Sequence, residues 1–202
     1  MKSKQLLILV IVIMCFCIAS MGAAGVFATS GEETPSTGAG DASDDAAGAD
    51  ASSSKYRYVK VYRDKDPDDD DHWMNMAEVE VFSGGVNVSR DKTVTQSSIF
   101  NDKDFPPKFL VDGDKTNSAH TNNDQLEWFL IDLGENYDIE KVIVSNRQDC
   151  CKPRLRHTKI QLSTAMVGTD LIDYIESREI TTDEAVKDEI TWDVKTDKIS
   201  AL

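Results

Sequence analysis

The chain has 202 residues and a formal net charge of −14, which leaves room for about one domain of ordinary size. So acidic a chain is repelled by nucleic acid and by anionic membrane surfaces, which argues against both as partners. Only four cysteines are present, two of them inside an N-terminal apolar run, so a disulfide-dense secreted scaffold is excluded. Two adjacent thiols with His72, His120 and His157 also lack the ligand-pair spacing of a zinc site.

Lys2 and Lys4 precede an unbroken apolar stretch at residues 6–18, and small residues follow to Ala28. Residues 1–28 are read as a signal peptide or a signal anchor, and both readings stay open. A basic start, a short apolar centre and the ending Val26-Phe27-Ala28 suit a cleaved leader. Leu6 to Ala28 is also long enough to cross a bilayer, which needs about 20 apolar residues. Either way the rest of the chain is expected in the secretory pathway, secreted or membrane-anchored, touching a membrane only through this segment if it stays uncleaved. Residues 29–54 contain no large apolar side chain and cannot offset their own ordering entropy; they are expected to form a disordered acidic Gly/Ala/Ser stalk.

Residues 55–202 have a different texture. Tyr58 to Tyr62 and Ala77 to Phe82 alternate as half-buried strands do, with Ser83-Gly84-Gly85 as a turn after the second. Thr93 to Phe100, Trp128 to Leu133, Ile139 to Ser145, Ile160 to Ser163 and Ile190 to Val194 continue the series. Many short strands between turn signals indicate an all-β sandwich or barrel. Leu171, Ile172 and Ile175 would share a face of a helix over 169–178, a segment that reads equally as a loop. Asp66 to Asp71 is an acidic run whose straight geometry suits a solvated loop better than a calcium site. Asn87-Val88-Ser89 is a glycosylation sequon, meaningful only on a eukaryotic secretory route.

The chemistry concentrates in one spaced set. His120 stands before a gap of twenty-six residues that ends at Arg147, followed by Gln148, Asp149, Cys150, Cys151, Lys152, Pro153 and Arg154. Two guanidinium forks fix neighbouring hydroxyl oxygens in direction as well as distance, and a neutral imidazole accepts the hydroxyl proton that arginine cannot. A carboxylate beside them braces an arginine and offsets its charge. The set suits the hydroxyls of a small neutral sugar, against the plainer reading of a surface salt-bridge cluster. Cys150 and Cys151 have Cα atoms about 3.8 Å apart, below the usual disulfide range, and stand as either a strained bonded pair or two free thiols.

This spacing, with Asn146-Arg147-Gln148-Asp149-Cys150-Cys151, Gln96-Ser97-Ser98, Val111-Asp112-Gly113, His120-Thr121-Asn122-Asn123 and Trp128 to Gly134, resembles the F-type lectin (fucolectin) family over about residues 86–163. The resemblance implies an eight-stranded jelly-roll β-sandwich of the galactose-binding-like superfamily, akin to discoidin and coagulation-factor type C domains, that binds L-fucose without catalysis. It implies sugar contacts from His120, Arg147 and Arg154, with Asp149 as brace. It further implies that Cys150 and Cys151 are bonded to each other and pack against the sugar ring. A structural calcium ion (Ca2+) would be held by the Phe109 carbonyl, Asp112, Asp114, Ser118 and Glu78. Two departures stand out. Thr116 to Ala119 lacks the aromatics that often surround the fucose methyl group, for which Phe100 or Phe105 would substitute. Arg156-His157 takes the place of a small residue.

In that family the strands resembling residues 57–62 and 76–81 come last, whereas here they come first, after which residues 187–195 look like the strand that should precede them. A circular permutation joined through Ser83-Gly84-Gly85 is expected, the rival being a remnant of a tandem domain. The expected partners are fucosylated glycans, with homo-oligomers supplying avidity. A discoidin-like adhesion module for protein or lipid head groups is the alternative, and nothing marks the flanking carboxylate pair of a glycoside hydrolase.

Overall fold

The computed structural model describes residues 54–63, 70–124 and 126–201. The leader, the stalk up to residue 53 and most of the Asp66–Asp71 run therefore lie outside the described residues. Among the described residues no helix is long and apolar enough to cross a membrane.

Among the described residues fourteen strands, numbered in chain order, make two five-stranded sheets and two small ladders. One sheet has the order β12 (Ile175–Glu176), β9 (Thr158–Ser163), β1 (Tyr56–Arg63), β7 (Trp128–Tyr137), β5 (Thr93–Gln96). The other runs β14 (Lys198–Ala201), β13 (Glu189–Asp193), β8 (Lys141–Ser145), β3 (Glu78–Ser83), β4 (Val86–Asn87). The small ladders pair β2 (Asn75–Met76) with β6 (Ala119–His120), and β10 (Ala165–Val167) with β11 (Asp170–Ile172). Every ladder is antiparallel. Eight strands have four residues or more, four in each large sheet, which is the eight-stranded sandwich expected from the sequence.

The period of two fills the space between the sheets. Val59 and Val61, Phe129 and Ile131 and Leu133, and Ile160 and Leu162 are buried on one side. Val79 and Val81, Val142 and Val144, Ile190 and Trp192 meet them from the other. Each fully buried side chain of this kind contributes roughly 1.5–3 kcal/mol, so the core and not any one polar contact holds the sandwich. β1 lies between β7 and β9, and β3 between β8 and β4. The segment read as displaced from the far end of the fold is thus interior to both sheets. Its joint, Gly84 and Gly85 at φ 57° and 76°, is a two-residue hairpin turn between Ser83 and Val86.

Residues 169–178, read as either a helix or a loop, form strands instead. Gly168, at φ 63°, turns a hairpin that pairs Val167 with Asp170, and Ile175 then pairs with Leu162. Leu171 is buried while Ile172 and Ile175 are exposed, so the three do not share a face. A short helix, α1 (Thr182–Ala185), forms just beyond, where Thr181 and Glu184 bond each other's backbone amides in a capping box.

Candidate functional site

The end of the sandwich where β8 stops builds the site. Ser145, the last residue of β8, pairs with Glu78 on one side and Glu189 on the other. The chain then enters Asn146, fully buried, whose amide Nδ2 donates to the carbonyls of Ala185 (2.7 Å), Lys152 (3.1 Å) and Lys187 (3.2 Å). One side chain thereby clamps both ends of the turn that carries Arg147 and leads to Arg154. That turn closes in a 3-10 segment, Lys152–Leu155, anchored by buried Leu155.

His120 is delivered from the other side. β6 pairs with β2, and Met74 and Thr121 continue the ladder through Thr121 N to Met74 O (2.9 Å) and Met74 N to Thr121 Oγ1 (3.0 Å). This sets Trp73 beside the imidazole, with ring centroids 5.2 Å apart. The amide of Phe100 donates to the carbonyl of His120 (3.1 Å), which brings Phe100 to 5.1 Å from the imidazole; Phe105 lies at 5.5 Å.

These residues enclose a cavity of about 340 Å³ lined by Trp73, Phe100, Phe105, His120, Arg147 and Arg154. His120 Nδ1 is 2.6 Å from the carbonyl of Thr121. A carbonyl only accepts, so Nδ1 carries the proton and Nε2 presents a lone pair. Nε2 faces Arg154 Nη1 at 3.3 Å. Burial first, and then the charges of Arg154 and Arg147, lower the proton affinity of this ring below its ordinary value, against the Thr121 carbonyl and Asp71. Arg147 donates from Nε and Nη2 to the two carboxylate oxygens of Asp149, both at 2.6 Å, a bidentate pair. That pairing holds Asp149 down at about 2. Arg154 donates from Nε to Asp71 Oδ2 at 3.3 Å. The arginines also stack on the aromatic wall, Arg147 at 5.7 Å from Phe105 and Arg154 at 5.6 Å from Trp73.

Of the residues singled out in the sequence, His120, Arg147 and Arg154 converge on this cavity and Asp149 braces Arg147. Cys150 and Cys151 are bonded to each other. They lie on the same turn but are not among the six lining residues. Phe100 and Phe105 do line it, as the departure from the family pattern required. Trp73 and Asp71 escaped sequence reasoning. A lone tryptophan beside an acidic run, outside any strand pattern, was the available signal.

The residues matching the calcium loop gather elsewhere. Glu78 is fully buried; its Oε1 accepts from the amide of Gly113 (3.0 Å), and its Oε2 is buried without a hydrogen-bond partner. Burial pushes this carboxyl up to about 7, with the Asp112 charge acting in the same direction. Asp112 accepts from the Asp114 amide (2.9 Å) and from Asn117 Nδ2 (2.8 Å), while Asp114 accepts from the amide and hydroxyl of Thr116. Ser118 is buried, and Phe109 belongs to the 3-10 segment Pro107–Val111. Among the described residues no three His, Cys, Asp or Glu side chains form a metal cluster. An ion here would draw on Glu78, Asp112 and main-chain or hydroxyl oxygens, and the orphaned Glu78 Oε2 fits such an ion.

Residues 109–199 match the family model for the NedA-like, galactose-binding domain of the F5/F8 type C class. Fucolectin-1 from Anguilla japonica is 30% identical over 66 residues, which are 30% of this chain and 37% of that relative. The match thus spans a little over a third of the relative's length. No solved structure matches. The β-sandwich of this chain has the galactose-binding-like fold, and over residues 109–199 it is similar to domains of the discoidin and F-type lectin group.

Proposed function

We propose that this domain is a lectin for L-fucose or a related terminal sugar, presented on glycans or glycoproteins. The observation that carries the reading is the convergence of His120, Arg147 and Arg154 on one cavity whose remaining wall is aromatic. Nη1 of Arg147 and Nη2 of Arg154 carry no hydrogen bond among the described residues, so each guanidinium keeps a donor for a sugar hydroxyl after bonding its carboxylate. His120 Nε2, which faces Arg154 Nη1 at 3.3 Å, accepts a sugar hydroxyl proton in exchange for that contact. Trp73, Phe100 and Phe105 offer the apolar surface that a deoxysugar's methyl group takes. The Cys150–Cys151 bridge stiffens the turn between the arginines and gives the sugar an edge to rest on.

Binding here proceeds without turnover. A glycoside hydrolase needs a carboxyl that stays protonated to supply the leaving group, whereas Asp149 is held at about 2 by Arg147 and Asp71 is paired with Arg154. Calcium is the proposed structural ion, held by Glu78 and Asp112 with Asp114, Ser118 and the Phe109 carbonyl. A single monosaccharide pocket buries little area, so each site binds weakly, and clustering through oligomers or surface display supplies avidity. Delivery through the secretory pathway by residues 1–28 places the lectin where glycans are.

A glycan array probed with residues 55–202, followed by calorimetry with fucose, tests the reading. Arg147→Ala and Arg154→Ala should each abolish measurable binding in a folded protein. Unchanged affinity in both variants refutes it.

A further inference from the structure

Arg154, which lines the cavity, is bonded to a carboxylate that is not itself a lining residue and that the lectin pattern does not include. Asp71 Oδ2 accepts from Arg154 Nε at 3.3 Å, across 83 positions of sequence. Two residues on, Trp73 stacks on the same guanidinium and meets His120 edge-on. Both come from residues 70–76, outside the stretch 109–199 that matches the galactose-binding family. Their position does not depend on the arginine alone. The amide of His72 donates to Asn123 Oδ1 (2.7 Å), Asn123 Nδ2 donates to the carbonyl of Asp70 (3.1 Å), and Met74 is tied to Thr121. Backbone contacts on both sides of Asp71 thus hold its carboxylate against Arg154.

A charge count follows. Among the described residues Arg147 is matched by Asp149 and Arg154 by Asp71, so two positive and two negative groups stand around a neutral imidazole. Removing Asp71 leaves one uncompensated guanidinium beside the cavity. A pocket with that surplus takes a carboxylate or sulfate readily, because arginine binds such groups through paired, charge-assisted hydrogen bonds. With the carboxylate present, the charge of Arg154 is already matched, and an anionic sugar gains no net attraction from it.

Resting on the sugar-binding reading above, we propose that Asp71 is a specificity-determining residue of the pocket. By pairing with Arg154 it brings the charge of the cavity to zero, and it so selects neutral sugars over those bearing a carboxylate or a sulfate. Trp73 holds the arginine in the orientation that lets one carboxylate serve it.

The test titrates the wild-type domain, Asp71→Asn and Asp71→Glu with L-fucose, glucuronic acid and galactose 6-sulfate, at low and at high salt. The wild type should bind fucose with little dependence on salt and show no binding of the two anionic sugars. Asp71→Asn should shift the preference toward the anionic sugars by about tenfold or more, and the shift should shrink as salt rises. Asp71→Glu, which keeps the charge, should retain the wild-type preference. A wild type that binds fucose alongside an Asp71→Asn variant of unchanged preference overturns the inference and leaves the lectin reading intact. A wild type that binds no sugar overturns both. Should Asp71→Asn fail to fold, competition on the wild type still decides: displacement of fucose by either anionic sugar at low salt overturns the inference.

Discussion

His120 Nε2 stands 3.3 Å from Nη1 of Arg154 while its Nδ1 is spent on the carbonyl of Thr121. The ring can act as an acceptor only while neutral, and its surroundings enforce that form. Because burial and the two arginines lower its pKa from 6.5, the proton enters only below that value. Sugar affinity should therefore be flat through neutral pH and decline only in the acid range below 6.5. Calorimetry across that range checks it. A loss of affinity that is half complete above 6.5 would mean that the imidazolium, not the imidazole, is the resting form.

Asn146 carries a second prediction. Its amide holds three carbonyls from two parts of the chain, and its own backbone amide donates to Asp188 O at 2.8 Å. Asn146→Ala removes the clamp and leaves the carbonyl of buried Ala185 without that partner, at about 2 kcal/mol. For a domain of this size that corresponds to a fall of roughly 4–8 °C in melting temperature. Sugar affinity should fall with it, since both arginines hang from the clamped turn. A melting curve that matches the wild type would show that water or the neighbouring chain replaces the amide.

How much of this was legible in the sequence follows from how far apart the partners lie. The strands were readable because a sandwich face repeats every second residue, and Val59, Val61, Phe129, Ile131 and Leu133 write that period plainly. His120, Arg147, Asp149 and Arg154 were readable because their fixed spacing is carried by one continuous stretch. Asp71 and Trp73 were not, since only the fold brings residues 70–76 against Arg154, and nothing local distinguishes a pocket carboxylate from a solvated one. The segment 169–178 misled because apolar residues at helical spacing also suit a hairpin once Gly168 supplies the turn. The true helix signal, Thr181 with Glu184, lay a few residues further on.

Glu78 makes stability depend on pH in an unusual sense. Its carboxyl rises from 4.5 to about 7 in the folded domain, so between these values the native state holds a proton that the unfolded chain has lost. Stability from this group is therefore full at low pH and falls as pH rises through about 7. Without divalent ions the domain should lose roughly 3 kcal/mol from this source between the two limits. Glu78→Gln should flatten the dependence, and calcium should restore most of the loss at alkaline pH by partnering the ionised Oε2. Thermal melts with and without a chelator at both ends of the range read all three effects. Equal calcium protection of the wild type and Glu78→Gln would remove Glu78 from the ligand set.

The Cys150–Cys151 bridge separates stability from function. A bond between neighbours closes almost no chain, so it constrains the unfolded state little. Breaking it should change the melting temperature by less than about 2 °C, the scale of a few tenths of a kcal/mol. Its place matters more: it lies between Asp149, which braces Arg147, and the turn whose Arg154 amide donates to the carbonyl of Cys151 at 3.1 Å. Cys151 sits at φ 63°, a left-handed conformation costing roughly 1–2 kcal/mol for a residue with a side chain. Freed of the bridge, that residue can relax to an ordinary conformation and carry the two arginines out of register. The double variant Cys150→Ser with Cys151→Ser should thus melt like the wild type and bind sugar about tenfold more weakly, the equivalent of ~1.4 kcal/mol. Full affinity in the double variant, or in reduced wild type, would show that Asn146 alone sets the turn and that the bridge plays no part in recognition.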